Sequence, residues 1–390
     1  MNYHLLIDEK FIDGFISDAE KYAPGNNTYL VSLYTQKPIF TTSHLITYVK
    51  SVKKYWFSQI APNLKITDKV FIHWLDRRVY DIILSLPQEI KVGIFSWMGD
   101  LIATPSYLFE KEILKPNSYA FFNRYKKYKF EKDPSHGYIY NFLLFGRHVY
   151  RIMTSSFEWS KKKKVMQRVD LFFHWNELDY QWVKNHYHGF SAEFVYFVYD
   201  VGLETEISVL TDERKKEQLV IWLGNSATLS NNHFEALDDL AHLRKANIEI
   251  LCPLSYGEKV DSKYIKQLLK KGKQVFGNKF VPLLSYLDRN EYYALFNKVD
   301  IVVMNHVRSQ AAGNIFAFLQ FGKVIFMDKK STLYQFLFSK KTENLYSMEV
   351  LQKLSFNGIQ ELIDLKSENK SMKSILDFDI KVSNLRKHLN

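Results

Sequence analysis

The stretch Asp300–Met327, DIVVMNHVRSQAAGNIFAFLQFGKVIFM, decides how the rest of the chain is read. Ile301-Val302-Val303-Met304 is a short apolar run, the mark of a strand buried on both faces. Asn305–Gln310 then supplies His306, Arg308 and Gln310 at what would be the strand's carboxyl end. Ala311-Ala312-Gly313-Asn314 opens a helix with small residues, which let a backbone approach a ligand closely. Gly322 closes that helix, and Val324–Met327 begins the next strand. In open α/β sheets ligands collect at the carboxyl ends of parallel strands, and anions favour helix N-termini. Arg308 beside such a helix start fits a diphosphate. It fits an ordinary strand-to-helix turn with a solvated arginine equally well, and spacing alone does not separate the two.

The same rhythm extends upstream. Gln218–Leu223 reads as a strand, Gly224-Asn225-Ser226 as its turn, and Asn232 with Glu235 as a capping box for a helix running to about Lys245. Ile248–Cys252 and Lys279–Leu283 are further strands, with helices over Ser262–Phe276 and Arg289–Asn297. In the first half, Tyr3–Ile7, Thr28–Leu33, Lys69–Trp74, Lys91–Trp97, Asp170–His174 and Glu193–Val198 are strand candidates. Leu178–His186 reads as a short helix, and Tyr119–Ser160 has no clean period. The expected fold is α/β of the GT-B type, two Rossmann-like domains facing a central cleft. The expected division is 1–205, a linker at 206–217, and 218–390, with the C-terminal helix available to cross back. No G-x-G-x-x-G follows any strand and no Walker A lysine loop is present, which disfavours dinucleotide reductases and P-loop enzymes.

Composition narrows the partners. A chain of 390 residues with 46% hydrophobic residues can build two domain cores. The lone Cys252 excludes an internal disulfide framework and lies in an apolar run, as an inert buried thiol would. The net charge of +11 calls for an anionic partner: a phosphorylated substrate, an anionic membrane surface or nucleic acid. Arg124, Lys126, Lys127 and Lys129 interleave with Phe121, Phe122, Tyr125, Tyr128 and Phe130, and Lys161–Lys164 form a second basic run. Both suit a peripheral membrane contact or a solvated loop. No helix-turn-helix, zinc-finger or RNA-recognition signature supports nucleic acid. Met1–Glu9 lacks the pattern of a signal peptide, and no run reaches the roughly 18–20 apolar residues of a membrane span. The expected location is cytoplasmic, peripheral on the inner face of the cell membrane.

Gly224–Ser226, Ser255–Gly257 and Asn305–Asn314 should share one sheet edge. Ser226 offers a hydroxyl to phosphate, Gly224 a close backbone, Tyr256 a ring for stacking on a base, and Arg308 a bidentate fork. In the first half Asp100 is the first candidate general base, and reads equally as a turn or N-cap aspartate. Glu177 is the second, and reads equally as a helix-start acid. His73 and Trp97 are candidate acceptor contacts, His73 reading also as a core histidine. His186-x-His188 is a histidine pair without a third ligand, and no Asp-x-Asp ends a strand, so no metal site and no cofactor beyond the donor substrate are expected.

Leu223-Gly224-Asn225-Ser226-Ala227, Ser230-Asn231-x-His233 and Ala236-Leu237 resemble the corresponding block of the bacterial 4-acetamido-4,6-dideoxy-D-galactose transferases, glycosyltransferase family 56. Pro253–Gly257 and Asn305-His306-x-Arg308-x-Gln310-Ala311-x-Gly313-Asn314 are similar to two further segments of that family. So, more loosely, are His73-x-Leu75 and Trp97-x-Gly99-Asp100-Leu101, with Trp74 and Met98 standing where glycines are expected. The resemblance implies a metal-independent GT-B enzyme. It would move an amino-deoxy or fucose-like sugar from a dTDP or other nucleotide-diphosphate donor to a polyprenyl-diphosphate-linked saccharide at the cytoplasmic membrane face. Gly224, Asn225, Ser226, Tyr256, His306, Arg308, Gln310, Gly313 and Asn314 would bind the donor. Many GT-B families hold the ribose with a glutamate on the helix after this loop, where Leu319 and Gln320 stand here. A sugar-nucleotide epimerase of the same fold, or a non-catalytic anion-binding protein, would use the same loops.

Overall fold

The computed structural model describes residues 1–33, 37–102, 108–126, 130, 137–199, 218–365 and 375–390. The chain forms two compact units. One comprises Met1–Leu108, Phe130–Val201 and Leu376–Asn390, the other Phe109–Lys129 and Gly202–Ile375. The linker expected at 206–217 lies outside the described residues.

The first unit is built on a seven-stranded sheet of β1 (Asn2–Leu6), β2 (Asn27–Ser32), β3 (Ile46–Val49), β4 (Lys69–Ile72), β5 (Lys91–Phe95), β6 (Leu171–His174) and β7 (Glu193–Tyr196). Its order is β3-β2-β1-β4-β5-β6-β7, parallel throughout, as in Leu5 opposite Leu30 and Ile72. Strands buried on both faces read as continuous apolar runs, and β4 to β6 do. Phe71, Phe95 and Phe173 fill one face, Phe95 stacking on Phe173 with centroids 4.1 Å apart. Gly93 makes room for them, since a Cβ there would stand 2.6 Å from the Phe71 ring. Each such ring is worth roughly 2–3 kcal/mol of burial. The helix Phe378–Leu389 packs on this unit through Leu385 and Leu389, with Lys381 paired to Asp18 at 2.6 Å.

The second unit carries a six-stranded sheet of β8 (Leu219–Leu223), β9 (Ile248–Pro253), β10 (Phe280–Leu283), β11 (Ile301–Met304), β12 (Val324–Met327) and β13 (Leu345–Ser347). Its order, β10-β9-β8-β11-β12-β13, is also parallel. Trp222 of β8 is fully buried against Tyr292, Phe296 and Phe318 from the helices Arg289–Lys298 and Ala312–Gln320. In both sheets the order reverses beside the first strand, between β1 and β4 and between β8 and β11. Those reversals are the topological switch points where such folds bind ligands.

Three sequence expectations are corrected. Tyr119–Ser160 contains regular structure: Pro116–Phe121 is helical, and Tyr138–Gln167 is a single helix of 30 residues. Its period was hidden because apolar residues surround its first half instead of forming one stripe. The basic-aromatic stretch is packed in part where it is described, while Arg124 stays exposed. Phe121 lies against Phe234 and Tyr264 in the second unit's core, and Lys126 pairs with Glu258 at 2.7 Å. Lys127, Tyr128 and Lys129 lie outside the described residues. The Asn232/Glu235 capping box does not form, because Asn232 is left-handed (φ 51°) and makes no capping bond. Its amide instead binds the Ile113 and Asn305 carbonyls, while Glu235 accepts from Ser118 N–H at 2.7 Å and its hydroxyl at 2.6 Å. The helix it starts ends at Asp239, not near Lys245.

Candidate functional site

At the switch point of the second unit, the loops after β8 and β11 are tied into one lattice. Gly224 leaves β8 with φ +72°, a conformation that favours glycine, and its N–H bonds to Val303 O of β11 at 2.9 Å. A Cβ at Gly224 would lie 2.5 Å from Nε2 of His233, so the loop must pass here as bare backbone. Gln310 joins the two loops. Its amide donates to Asn225 Oδ1 at 2.7 Å, and its carbonyl oxygen accepts from Ser230 Oγ at 2.7 Å. Asn231 braces the β8 loop by donating to Ser226 O and Thr228 Oγ1, both at 2.9 Å, and by accepting from Asn225 N–H. Ser226 Oγ shares a hydrogen bond with Thr228 Oγ1.

The third loop joins through its backbone. Ala227 N–H donates to Tyr256 O at 2.6 Å and Glu258 N–H to Ala227 O at 3.0 Å, while Gly257 takes φ +110°. Tyr256 is 69% exposed. Beyond β11, Ala311 is left-handed at φ 59°, and no side chain caps the helix Ala312–Gln320 that follows. Its first-turn N–H groups and Arg308 are therefore two electropositive features of this edge.

The histidines of this edge are held neutral. His306 is fully buried, and burial, then the neighbouring Arg308 guanidinium, pushes it down to about 3. Its Nδ1 faces Arg308 O at 3.0 Å and so carries the proton, shaping the Arg308 turn. Burial alone pushes His233 to about 3, with Nδ1 2.6 Å from the Tyr264 hydroxyl. Nε2 of each has no hydrogen-bond partner. Asn314 donates to Tyr292 OH at 2.9 Å and so anchors its helix, while Gly313 and Gln320 lie on it partly exposed and Leu319 is buried. Lys115, on the segment expected in the first domain, also reaches this edge. It pairs with Asp328 at 2.7 Å and donates to Asn305 Oδ1. No periodicity in the sequence signals that insertion. Asn231, Ser230 and His233 were visible only as part of a family block.

The first unit's edge is aromatic. Trp97, after β5, meets Trp74, Phe11 and Tyr199 edge-on at centroid distances of 5.9, 5.7 and 5.4 Å. All four are partly exposed. Trp74 and Met98 occupy the positions where glycines were expected. Met98 has φ 61°, the region glycine would favour. His73 is fully buried and stacks on Phe95 at 4.4 Å, with its Nδ1 2.7 Å from the Tyr199 hydroxyl.

Asp100 is fully buried too. Its carboxylate accepts from Leu75 N–H at 3.1 Å, Trp97 N–H at 3.3 Å and Ser96 Oγ at 3.3 Å. Burial pushes it up, opposed by the Lys162 ammonium and those N–H groups. Lys162, itself buried and pushed down to about 7, donates to Asp100 O at 2.7 Å. This geometry makes Asp100 the organiser of the Trp97 turn and keeps it from the surface. Glu177 is exposed at the first turn of the helix Glu177–His186, beyond β6. His186 stacks on Trp182 and bonds to its carbonyl. Among the described residues no group of three His, Cys, Asp or Glu is placed to hold a metal ion.

Two parallel sheets of this order define a GT-B fold, and known proteins agree. The α,α-trehalose 6-phosphate synthase of Burkholderia multivorans superposes with a TM-score of 0.56 at 10% identity, covering 99% of this chain and 96% of that one. The UDP-forming α,α-trehalose-phosphate synthase of Burkholderia vietnamiensis gives 0.56 at 11%, covering 99% and 98%. An E. coli trehalose-6-phosphate structure bound with UDP-2-fluoro glucose gives 0.54 at 10%, covering 100% and 95%. At such identities these likenesses establish the fold. The class is a GT-B glycosyltransferase. Residues 153–372 match the family described as 4-alpha-L-fucosyltransferase, glycosyl transferase group 56, and the chain belongs to that family.

Proposed function

We propose that this glycosyltransferase moves an acetamido-deoxy or fucose-like sugar from a nucleotide-diphosphate donor, dTDP favoured, to a polyprenyl-diphosphate-linked saccharide in bacterial surface polysaccharide synthesis. The observation that carries the donor side is the Gln310-centred lattice, which fixes two loops and an uncapped helix start at one switch point. In the reaction an acceptor hydroxyl oxygen bonds to the anomeric carbon, the bond from that carbon to the diphosphate oxygen breaks, and the nucleoside diphosphate leaves. Arg308 and the first N–H groups of Ala312–Gln320 stabilise the charge gathering on the leaving oxygens. The acceptor proton goes to a carboxylate. Glu177 is the accessible candidate, while Asp100 acts by positioning the Trp97 turn.

The lipid-linked nature of the acceptor is supported by the helix Tyr138–Gln167. Its first twenty residues expose Tyr138, Ile139, Phe142, Leu143, Met153 and Phe157, each 64% or more accessible. Its last turns carry the Lys161–Lys164 run, of which Lys162 is buried and Lys161 paired to Asp81. An exposed apolar patch beside basic residues on a protein of charge +11 suits an anionic lipid surface. Among the described residues no helix is long and apolar enough to cross a membrane.

A thermal-shift panel of dTDP, UDP and GDP with the intact chain tests the donor side. Product analysis with donor alone separates transfer from epimerisation. Transfer leaves the donor sugar unchanged until an acceptor is added, and a new sugar nucleotide formed from donor alone contradicts this reading.

A further inference from the structure

Lys115 is built into the second unit's switch-point edge at both ends of its length. Its N–H donates to Asn232 Oδ1 at 2.9 Å, and its ammonium donates to Asn305 Oδ1. Asn232 and Asn305 are themselves joined twice. Asn232 Nδ2 donates to Asn305 O at 3.1 Å, and Asn305 Nδ2 donates to Asn232 O at 3.3 Å. Both asparagines are buried. The chain on either side of Lys115 is held as well. Asn232 Nδ2 donates to Ile113 O at 3.2 Å, and the Ser118 N–H and hydroxyl donate to Glu235. Fixing a lysine side chain in one geometry costs about 1.5–2 kcal/mol of rotamer entropy. Anchors at both ends of Lys115 oppose that cost.

Sheet register says where the ammonium is held. Met304 of β11 lies opposite Met327 of β12, so Asn305 and Asp328 are the next pair beyond the carboxyl ends of the two strands. The Lys115 ammonium bridges them, 2.7 Å from Asp328 Oδ2. Asp328 is fixed in turn, its Oδ1 accepting from Lys330 N–H at 2.8 Å and its carbonyl from Ser331 N–H at 3.0 Å. The Arg308 loop joins the same cluster. Ser309 Oγ lies 3.0 Å from Thr332 Oγ1, and the His306 imidazole feels the charges of both Arg308 and Asp328. Lys329, the next residue of this loop, pairs instead with Glu349 at 3.0 Å. A guanidinium and an ammonium therefore stand at neighbouring strand ends. The guanidinium is a planar fork, whereas the ammonium is a compact charge with three N–H donors. Among the described residues two of those donors go to Asn305 and Asp328, and the Lys115 side chain keeps 20% of its surface accessible. One N–H remains for an oxygen that arrives at the edge. We propose that Lys115 is a further diphosphate-binding residue, its ammonium held by Asn305 and Asp328 so that the remaining N–H meets the terminal phosphate of the nucleoside diphosphate. The assignment rests on the donor reading above and deepens it: a segment outside the strand loops supplies the site with a second cation beside Arg308.

The test titrates the full chain with dTDP and dTMP by calorimetry, in the native protein, Lys115→Met and Arg308→Ala. The native chain should bind dTDP more tightly than dTMP. Lys115→Met should weaken dTDP about tenfold and dTMP by less than about twofold, because only dTDP carries the second phosphate. A purely structural lysine would weaken both nucleotides by the same factor, and dTMP binding also reports that the variant is folded. Lys115→Cys supplies a second route. Cys252 is the lone native cysteine and is fully buried, so an alkylating reagent meets only the new thiol. Aminoethylation of that thiol restores an ammonium on a stem of the same length and should restore the preference for dTDP over dTMP. Carbamidomethylation, which adds a neutral group, should not. Native dTDP affinity in Lys115→Met, equal loss for the two nucleotides, or no recovery on aminoethylation would overturn the proposal. If Arg308→Ala loses dTDP while Lys115→Met keeps it, Lys115 leaves the site and the donor reading stands. If the native chain binds neither nucleotide, the donor reading falls and the proposal falls with it.

Discussion

The two sheets share one strand order and differ at the edge that matters. The second unit's edge is a lattice of Asn225, Asn231, Ser230 and Gln310 around a glycine turn, with Arg308 and an uncapped helix beside it. The first unit's edge is a cluster of Phe11, Trp74, Trp97 and Tyr199 over buried histidines. Topology therefore gives each sheet a switch point, and the side chains after each strand set its chemistry. One edge presents N–H groups and a guanidinium, and the other presents aromatic rings.

The largest effect should break the contrast at its charged end. Arg308→Ala should lower turnover, or raise the donor KM, by about 100-fold or more while the melting temperature stays within a few degrees. Steady-state kinetics with calorimetry checks this, and near-normal kinetics would remove Arg308 from the site. Gly224→Ala should cost about 2–4 kcal/mol of stability, because it combines φ +72° with a clash against His233. Chemical denaturation reads that cost.

Asp100→Asn sharpens the other edge. Putting an amide nitrogen among three donors should cost about 2 kcal/mol and leave dTDP binding intact. A fall of orders of magnitude in kcat with native stability would instead make Asp100 a reacting group. Acid should weaken both units alike. His4, His233 and His306 are pushed down to about 3 and His73 well down, so each stays neutral when folded and takes up a proton on unfolding below about pH 6.5. Their contribution is complete above that pH. It is lost on acidification from there toward about pH 3, at about 1 kcal/mol per pH unit for each imidazole. Melting curves between pH 7 and 5 test the sign. The smallest effect is that of Gln310→Ala, about tenfold in donor affinity read by titration with dTDP.

Much of this contrast was legible in the sequence. Runs such as Ile301–Met304 and Phe71–Ile72 announce strands buried on both faces, and Gly224 and Gly257 announce turns that take positive φ. The edge strands Ile46–Val49 and Leu345–Ser347 were missed because each is short and only partly buried, with too few residues to show a period. The capping box failed because tertiary contacts claim both partners: Ser118 takes Glu235, and Ile113 and Asn305 take Asn232. Asp100 showed its turn position but not its depth, since burial depends on Leu75 and Lys162, distant in sequence. Lys115 could not be anticipated at the second sheet, because nothing local marks a segment that leaves one unit's fold to pack in the other.

The central claim is that the second unit's switch-point edge binds a nucleoside diphosphate through Arg308 and the Gln310-braced loops. Titration of the intact chain with dTDP, beside Arg308→Ala, tests it most directly. The account predicts saturable binding, tighter for dTDP than for UDP or GDP, and lost in the variant at unchanged melting temperature. Absence of binding by all three nucleotides, or equal binding by the variant, would contradict it.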